Sequence, residues 1–340
     1  MTRVLVTGAG GYIGTTLVPM LLEAGHEVRA VDRFFFGNDL LPRHPKLEVV
    51  VEDSRKLPEA MLEGIDAVID LVAISNDPSG ELFETATYQI NRDSRVRTAR
   101  MAKAAGVKRY VLPSSCSIYG FQEEGVIATE TTPTNPLTVY AKANEMAEQA
   151  ILPLNGDGFC AVVLRQATVY GLSPRMRFDL AINGMTYGAW KTGKLPLMRD
   201  GSQWRPMVHV KDTASAQIFM LTAPAEKVGG QIFNVGSDEN TYQLGALGEL
   251  VASYVPRDVT IEWYGDADVR SYRAGFDKIE ALGWKAQRTA KDGVIETCVA
   301  LESGAVDKTT QTITLDWYKQ LADWHKRIKD VELYGGIIEI

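Results

Sequence analysis

At 340 residues the chain exceeds the roughly 250–300 residues at which single cores stop growing, so two lobes are expected. Its 45% apolar and 23% charged residues are ordinary for a globular enzyme, and a net charge of −7 without a basic stripe disfavours nucleic acid. No apolar run approaches the ~18 residues of a membrane span, and no signal-peptide pattern precedes the first strand. Cys116, Cys160 and Cys298 are scattered and form neither a disulfide framework nor a zinc knuckle, and the four histidines show no metal spacing. A reduced, cytoplasmic protein with no membrane partner is expected.

Arg3–Thr7 is a short apolar run of the kind that forms a buried parallel strand, and it feeds a glycine-rich turn. A helical pattern follows in Leu17, Met20, Leu21 and Ala24, closed by Gly25. Strand, glycine turn and helix N-terminus in that order present backbone N–H groups and a positive dipole end, which suits a pyrophosphate. Two spacings compete: Gly8 and Gly10 fit the usual dinucleotide fingerprint but leave Ile13 at its last glycine, whereas Gly8, Gly11 and Gly14 fit Gly-x-x-Gly-x-x-Gly throughout. Asp32 ends the second run, Glu27–Val31, where an acidic side chain would meet the adenosine ribose hydroxyls. Its charge argues for NAD, and the adjacent Arg33 keeps NADP open.

Phe34, Phe35 and Phe36 read as loop packing against the sheet. Leu47–Val51 reads as a third strand ending at Glu52-Asp53-Ser54, Pro58–Gly64 as helical, and Ala67–Ala73 as a fourth strand. Asn91–Gly106 is helical, Arg109–Pro113 a fifth strand, Tyr140–Leu152 a helix and Ala161–Leu164 a sixth strand. This rhythm predicts an α/β fold with a doubly wound parallel sheet. Beyond Gly171 one long helical stretch and a turn-rich segment reach Trp204, and Met207–Val210 and Gln231–Val235 read as strands returning to the sheet. The expected division is residues 1–171, with the returning strands of about 206–236, for the cofactor, and 172–205 with 237–340 as a smaller mixed C-terminal lobe for the substrate.

Several blocks in order carry a resemblance. They are Thr7–Gly14, Asp32, Asp53, Leu71-Val72-Ala73, Ser114–Gly120, Tyr140–Asn144, Leu164–Gly171, Trp204–Asp212 and Asn234-Val235-Gly236. The chain resembles the extended short-chain dehydrogenase/reductases, specifically the NAD-dependent epimerase/dehydratase group acting on nucleotide sugars. The resemblance implies a Rossmann domain holding NAD, with cofactor contacts at Gly8, Gly11, Tyr12, Ile13, Gly14, Asp32, Arg33, Asp53, Ser54, Leu71, Val72, Ala73, Asn91, Tyr140 and Asn144. It implies Tyr140 as catalytic base with Ser115 as its hydroxyl partner, and a homodimer paired through the helices of Asn91–Gly106 and Tyr140–Leu152.

The sequence departs from that pattern where Tyr-x-x-x-Lys reads Tyr140-x-x-x-Asn144. Asn144 shares a helix face with Tyr140 and can bond a ribose hydroxyl, but it supplies no charge to lower the phenol's pKa. Lys142 faces roughly 200° away around the helix, toward solvent or a subunit contact. Cys116 and Ser117 stand where dehydrating members carry acids, which argues against dehydration. Cys116 is either a buried inert thiol or, out of register, a carbon base.

On the substrate side the resemblance implies Ser115, Cys116, Ser117, Thr168, Arg205 and Arg270. Arg205 and Arg270 are the arginines for a nucleotide diphosphate, for which a guanidinium fork is suited. Arg175 and Arg177 could line the same site or be solvated. The expected function is nucleotide-sugar oxidoreduction through a 4-keto intermediate, as a 4-epimerase or a 4-dehydrogenase/reductase. The alternatives are an NAD(P)-binding sensor or scaffold without turnover, and a reductase of a non-nucleotide ketone.

Overall fold

The structure is a computed structural model that describes residues 2–331 except Glu124 and residues 267–270. Arg270 therefore lies outside the described residues. The strands are β1 (Arg3–Thr7), β2 (Glu27–Asp32), β3 (Leu47–Val51), β4 (Ala67–Asp70), β5 (Arg109–Ser115), β6 (Ile127–Ala128) and β7 (Cys160–Gln166). They continue with β8 (Thr168–Tyr170), β9 (Lys194–Met198), β10 (Trp204–His209), β11 (Gln231–Val235), β12 (Thr241–Gln243), β13 (Thr260–Tyr264) and β14 (Arg273–Ala274).

Seven strands form one parallel sheet in the order β11-β7-β5-β4-β1-β2-β3. Alternate residues of β1 explain why it lies at the centre. Val4 and Val6 pack with Leu17 and Leu21 of the helix Gly14–Glu23 and with Ala216 of the helix Val210–Thr222. Leu5 packs on the other face with Ala99 of the helix Arg95–Ala104 and Ala147 of the helix Val139–Ile151. A strand with three consecutive apolar residues, Val4–Val6, is thus buried on both faces, as a doubly wound sheet requires. The chain leaves β1 toward β2 and β3, then crosses back to β4 on the other side of β1. That switch opens a crevice beyond the carboxyl ends of the strands.

Four expectations are corrected at element level. β4 ends at Asp70 rather than Ala73, because its neighbour β1 ends at Thr7 and Leu71 N–H closes onto the Thr7 carbonyl at 3.1 Å. The stretch from Asn91 begins in a π-helical segment, Tyr88–Ser94, and becomes α-helical only at Arg95. Of the two returning segments, Gln231–Val235 joins the main sheet beside β7, but β10 does not. It pairs in parallel with β8 and antiparallel with β12 in a separate three-stranded sheet, and β8 itself is separated from β7 by a break at Ala167. The stretch before Trp204 also holds a strand, β9, paired with β13.

A third core surrounds these smaller sheets, built from Ile182, Leu195, Leu197, Met207, Leu247 and Val294 among others. The helix Thr314–Val331 runs back to the loop after β2, where the Trp317 indole N–H donates to the Phe35 carbonyl at 2.7 Å. The Phe36 and Tyr318 rings meet with centroids 5.8 Å apart, so the aromatic loop packs on this helix.

Candidate active site

The glycine turn sits where β1, β4 and the first helix converge, and the packing shows which glycines it needs. A Cβ on Gly8, which has φ of +67°, would lie 2.7 Å from the Leu71 and Val72 backbone. One on Gly14 would lie 2.6 Å from the Ala9 carbonyl oxygen. Gly11 is looser, its nearest neighbour being the Gly8 carbonyl at 3.1 Å, whereas a Cβ on Gly10 would strike the Phe34 ring at 2.7 Å. Gly10 therefore belongs to the turn as well. Its N–H donates to Asp32 at 3.0 Å, and Phe34 N–H donates to the other carboxylate oxygen at 2.7 Å. Burial pushes the Asp32 carboxyl above its usual range, against these backbone donors and the charge of Arg175.

A cleft of about 1120 Å³ opens over this turn. It is lined by Gly8, Gly11, Tyr12, Ile13, Gly14, Asp32, Arg33, Asp53, Ser54 and Leu71–Ala73. The Arg33 guanidinium is engaged by Asp53 at 3.0 Å. Arg55 holds the same carboxylate at 2.6 Å and sets its carboxyl well below the usual range. Asn91 is not among the lining residues. It is fully buried and its amide bonds both the N–H of Ile74 at 2.8 Å and the carbonyl at 3.0 Å, which fixes the loop after β4. The first helix has no side-chain cap and no acid in its own first turn, so no carboxylate of the helix itself competes for its positive end. Together with Asp32 at the end of β2, these residues fit a dinucleotide.

Ser115 closes β5 and its Oγ accepts the Ser117 N–H at 3.1 Å. Tyr140 lies in the first turn of the helix Val139–Ile151, whose N-cap, Thr138, accepts the Ala141 N–H at 3.2 Å and donates to Asp77 at 2.6 Å. Gly80 leaves room there, since a Cβ on it would come within 3.2 Å of Tyr140 Cβ. Ser115, Ser117, Tyr140, Thr168 and Arg205 all line the cleft. Burial raises the Tyr140 phenol above its ordinary value. The charge of Arg95 and hydrogen bonds from Ser115 and Asn144 oppose that rise, and Asp77 adds to it.

Asn144 does not line the cleft. Its Oδ1 accepts from an Arg95 Nη at 2.7 Å, and its Nδ2 donates to the Tyr140 carbonyl at 3.0 Å. Lys142 is exposed, as its helix angle implies. Cys116 turns away from the cleft into the core, where its Sγ donates to the Arg165 carbonyl at 3.2 Å and burial pushes the thiol up. The inert reading of this thiol fits the structure.

Arg205 reaches over the Tyr272 ring at 5.5 Å and donates to the Trp204 carbonyl at 2.9 Å. Arg175 and Arg177 are buried and line the cleft rather than being solvated. Arg177 pairs with Asp179 at 2.8 Å. Arg175 stacks on Phe36 at 3.7 Å, and desolvation pushes it down to about 9. Two features belong to no motif of the sequence: Arg95 behind Asn144, and the cleft wall of Tyr318, Leu321 and His325 from the helix Thr314–Val331.

The sequence model of the NAD dependent epimerase/dehydratase family matches residues 4–236. The chain is 30% identical over 273 residues to putative UDP-arabinose 4-epimerase 2 of Arabidopsis thaliana, covering 71% of this chain and 65% of that protein. It is 30% identical over 218 residues to a 3-beta-hydroxysteroid dehydrogenase of Mycolicibacterium neoaurum, covering 61% and 59%. The chain thus spans less than two thirds of the length of these two relatives. The solved structure of MoeE5 in complex with UDP-glucuronic acid and NAD superposes with a TM-score of 0.78 at 25% identity, over 89% of this chain and 99% of that one. With its parallel sheet, glycine turn and Asp32 in register with that match, the chain belongs to the NAD-dependent epimerase/dehydratase family, with NAD as its cofactor.

Proposed function

We propose that the protein is a nucleotide-sugar oxidoreductase working through a 4-keto intermediate, either a 4-epimerase or a 4-dehydrogenase/reductase. One observation carries this reading: a single cleft runs from the glycine turn and Asp32, past Ser115 and Tyr140, to Thr168 and Arg205. Bound NAD supplies the acceptor for the carbinol hydride and the donor for its return. Tyr140, as phenolate, takes the hydroxyl proton while the carbinol becomes a ketone, and returns it in the reverse direction. Ser115 hydrogen-bonds the same oxygen. Asn144 keeps Tyr140 in place from behind, and Arg205 meets the diphosphate. Arg270 is proposed as a second diphosphate ligand. Dimerisation is proposed through the helices Arg95–Ala104 and Val139–Ile151, where Met146 and Lys142 are exposed.

A second reading, oxidoreduction of a non-nucleotide alcohol or ketone, draws on the hydroxysteroid dehydrogenase relative. It also draws on Met185, Pro196, Met198, Met207 and Leu244 in the cleft wall. Incubating the NAD-loaded protein with nucleotide sugars of different bases, and separately with 3β-hydroxysteroids, distinguishes the two by product chromatography. Epimerised or oxidised sugar, inhibited by free nucleoside diphosphate, is the expected result. Steroid oxidation with no change in any sugar would replace the first reading by the second.

A further inference from the structure

The pattern this chain resembles places a lysine's charge beside the catalytic tyrosine, and Asn144 cannot supply one. The structure puts a cation directly behind Asn144. Arg95 opens the helix Arg95–Ala104, immediately after the π-helical segment, and is 2% exposed. Its Nε donates to the Val72 carbonyl in the cleft-lining loop at 2.8 Å, and an Nη donates to Asn144 Oδ1 at 2.7 Å. The Tyr110 hydroxyl bonds the Arg95 carbonyl at 3.1 Å and also donates to Asp70. Both ends of the Asn144 amide are thereby fixed, one on Arg95 and the other on the Tyr140 carbonyl at 3.0 Å.

Resting on the reading of Tyr140 as base, we propose that Arg95 supplies from the neighbouring helix the positive charge that Asn144 lacks, and holds Asn144 so that this charge bears on the Tyr140 phenol. Arg95 is a positioning residue, since it reaches the reacting atoms through Asn144 and through space. Burying a guanidinium is costly without a counter-charge, and among the described residues no carboxylate is within ion-pair distance of Arg95, whose side-chain partner is the neutral Asn144 amide; the buried acid Asp70 is bonded by Tyr110 instead. A phenolate at Tyr140 completes the pair, so the same cost that burdens Arg95 favours ionised Tyr140. Arginine suits this place better than lysine because its fork can hold the Val72 carbonyl and Asn144 together at fixed geometry.

The other groups facing Tyr140 do not supply this charge. Ser115 and Asn144 are neutral hydrogen-bond partners. Asp77, from the helix Asp77–Leu82, opposes ionisation, and Glu81 of that helix accepts the Val139 N–H at 2.8 Å. Among the influences that favour the phenolate, the Arg95 charge is the largest.

The test is a near-ultraviolet phenolate titration of the intact protein, subtracting the Tyr140→Phe variant so that only Tyr140 is read. Arg95→Gln keeps a buried amide but removes the charge, and should move the Tyr140 midpoint up by about one pH unit or more, a tenfold loss of phenolate at fixed pH. Arg95→Lys should stay near wild type. Arg95→Gln/Asn144→Lys moves the charge onto the Tyr140 helix and should restore the midpoint to within about half a unit. Should Arg95→Gln not fold, this relocated-charge variant carries the test by itself. An unchanged midpoint in folded Arg95→Gln, or no restoration by Asn144→Lys, overturns the inference. The readout is ionisation rather than turnover, so a protein inactive on every sugar but showing these shifts would refute the proposed activity and leave the role of Arg95 standing.

Discussion

Trp317 and Phe35 are joined by a 2.7 Å hydrogen bond from indole N–H to carbonyl, across 282 positions of chain. The bond ties the helix Thr314–Val331 to the loop that follows Asp32, and places Tyr318 and Leu321 in the wall of the cofactor cleft. Trp317→Phe keeps the apolar packing and removes the donor. A neutral hydrogen bond is worth about 0.5–1.5 kcal/mol, so NAD affinity by calorimetry should fall about two- to tenfold while the thermal midpoint changes little. An unchanged affinity would show that the helix does not brace the site.

Asp32 accepts from Gly10 and Phe34 and stands where the adenosine ribose is expected. Asp32→Ala removes the ribose acceptor together with the anchor of the turn. Charged hydrogen bonds contribute about 1.5–3 kcal/mol, so NAD binding should weaken tenfold or more, and NADP binding by much less because the repelling charge has gone. Equal losses for both cofactors would contradict the placement.

The pH dependence follows from Tyr140. Its burial raises the phenol, and only the phenolate can take a proton, so the active fraction is small at neutral pH and grows as pH rises toward the raised value. Turnover should therefore climb about tenfold per pH unit through the neutral range while chemistry is rate-limiting. A flat profile, with chemistry verified as rate-limiting by a substrate isotope effect, would remove Tyr140 as base.

Glu148 and Arg165 form a buried pair at 2.7 Å, and Ser114 donates to the same carboxylate. Glu148→Ala leaves the guanidinium buried with no counter-charge, which costs about 3–5 kcal/mol. Denaturant unfolding should report that loss, and a loss under about 1 kcal/mol, the range of exposed pairs, would place the pair at the surface in energetic terms.

The central sheet was legible because β1, β4, β5 and β7 carry apolar runs of strand length that alternate with helical patterns, the rhythm of a doubly wound sheet. The glycine turn was legible in outline, but the spacing alone favoured Gly11, whereas the packing of Phe34 makes Gly10 the tighter position. Which sheet β10 joins could not be read, since a strand pattern names no partner and the break at Ala167 that separates β8 from β7 has no mark in the sequence. Arg95 left one faint trace, an arginine on the same helical face as Ala99 and Ala102, both fully buried. The C-terminal helix left a clearer one in Trp317, Leu321, Trp324 and Ile328, spaced four, three and four apart. The inward turn of Cys116 follows from Ser115 facing the cleft, a direction that the sequence does not carry.

Oxidation of a nucleotide sugar by Tyr140 and the bound cofactor in this cleft is the proposed chemistry. The most direct measurement is reduced-nicotinamide absorbance on mixing the NAD-loaded protein with a panel of nucleotide sugars, for wild type and Tyr140→Phe side by side. That chemistry gives a rise, or a transient one with epimerised product, for at least one sugar, slowed a hundredfold or more by Tyr140→Phe, about the contribution of a general base. Equal rates in the two proteins, or no reduction and no product across the panel while NAD binding is intact, would contradict it.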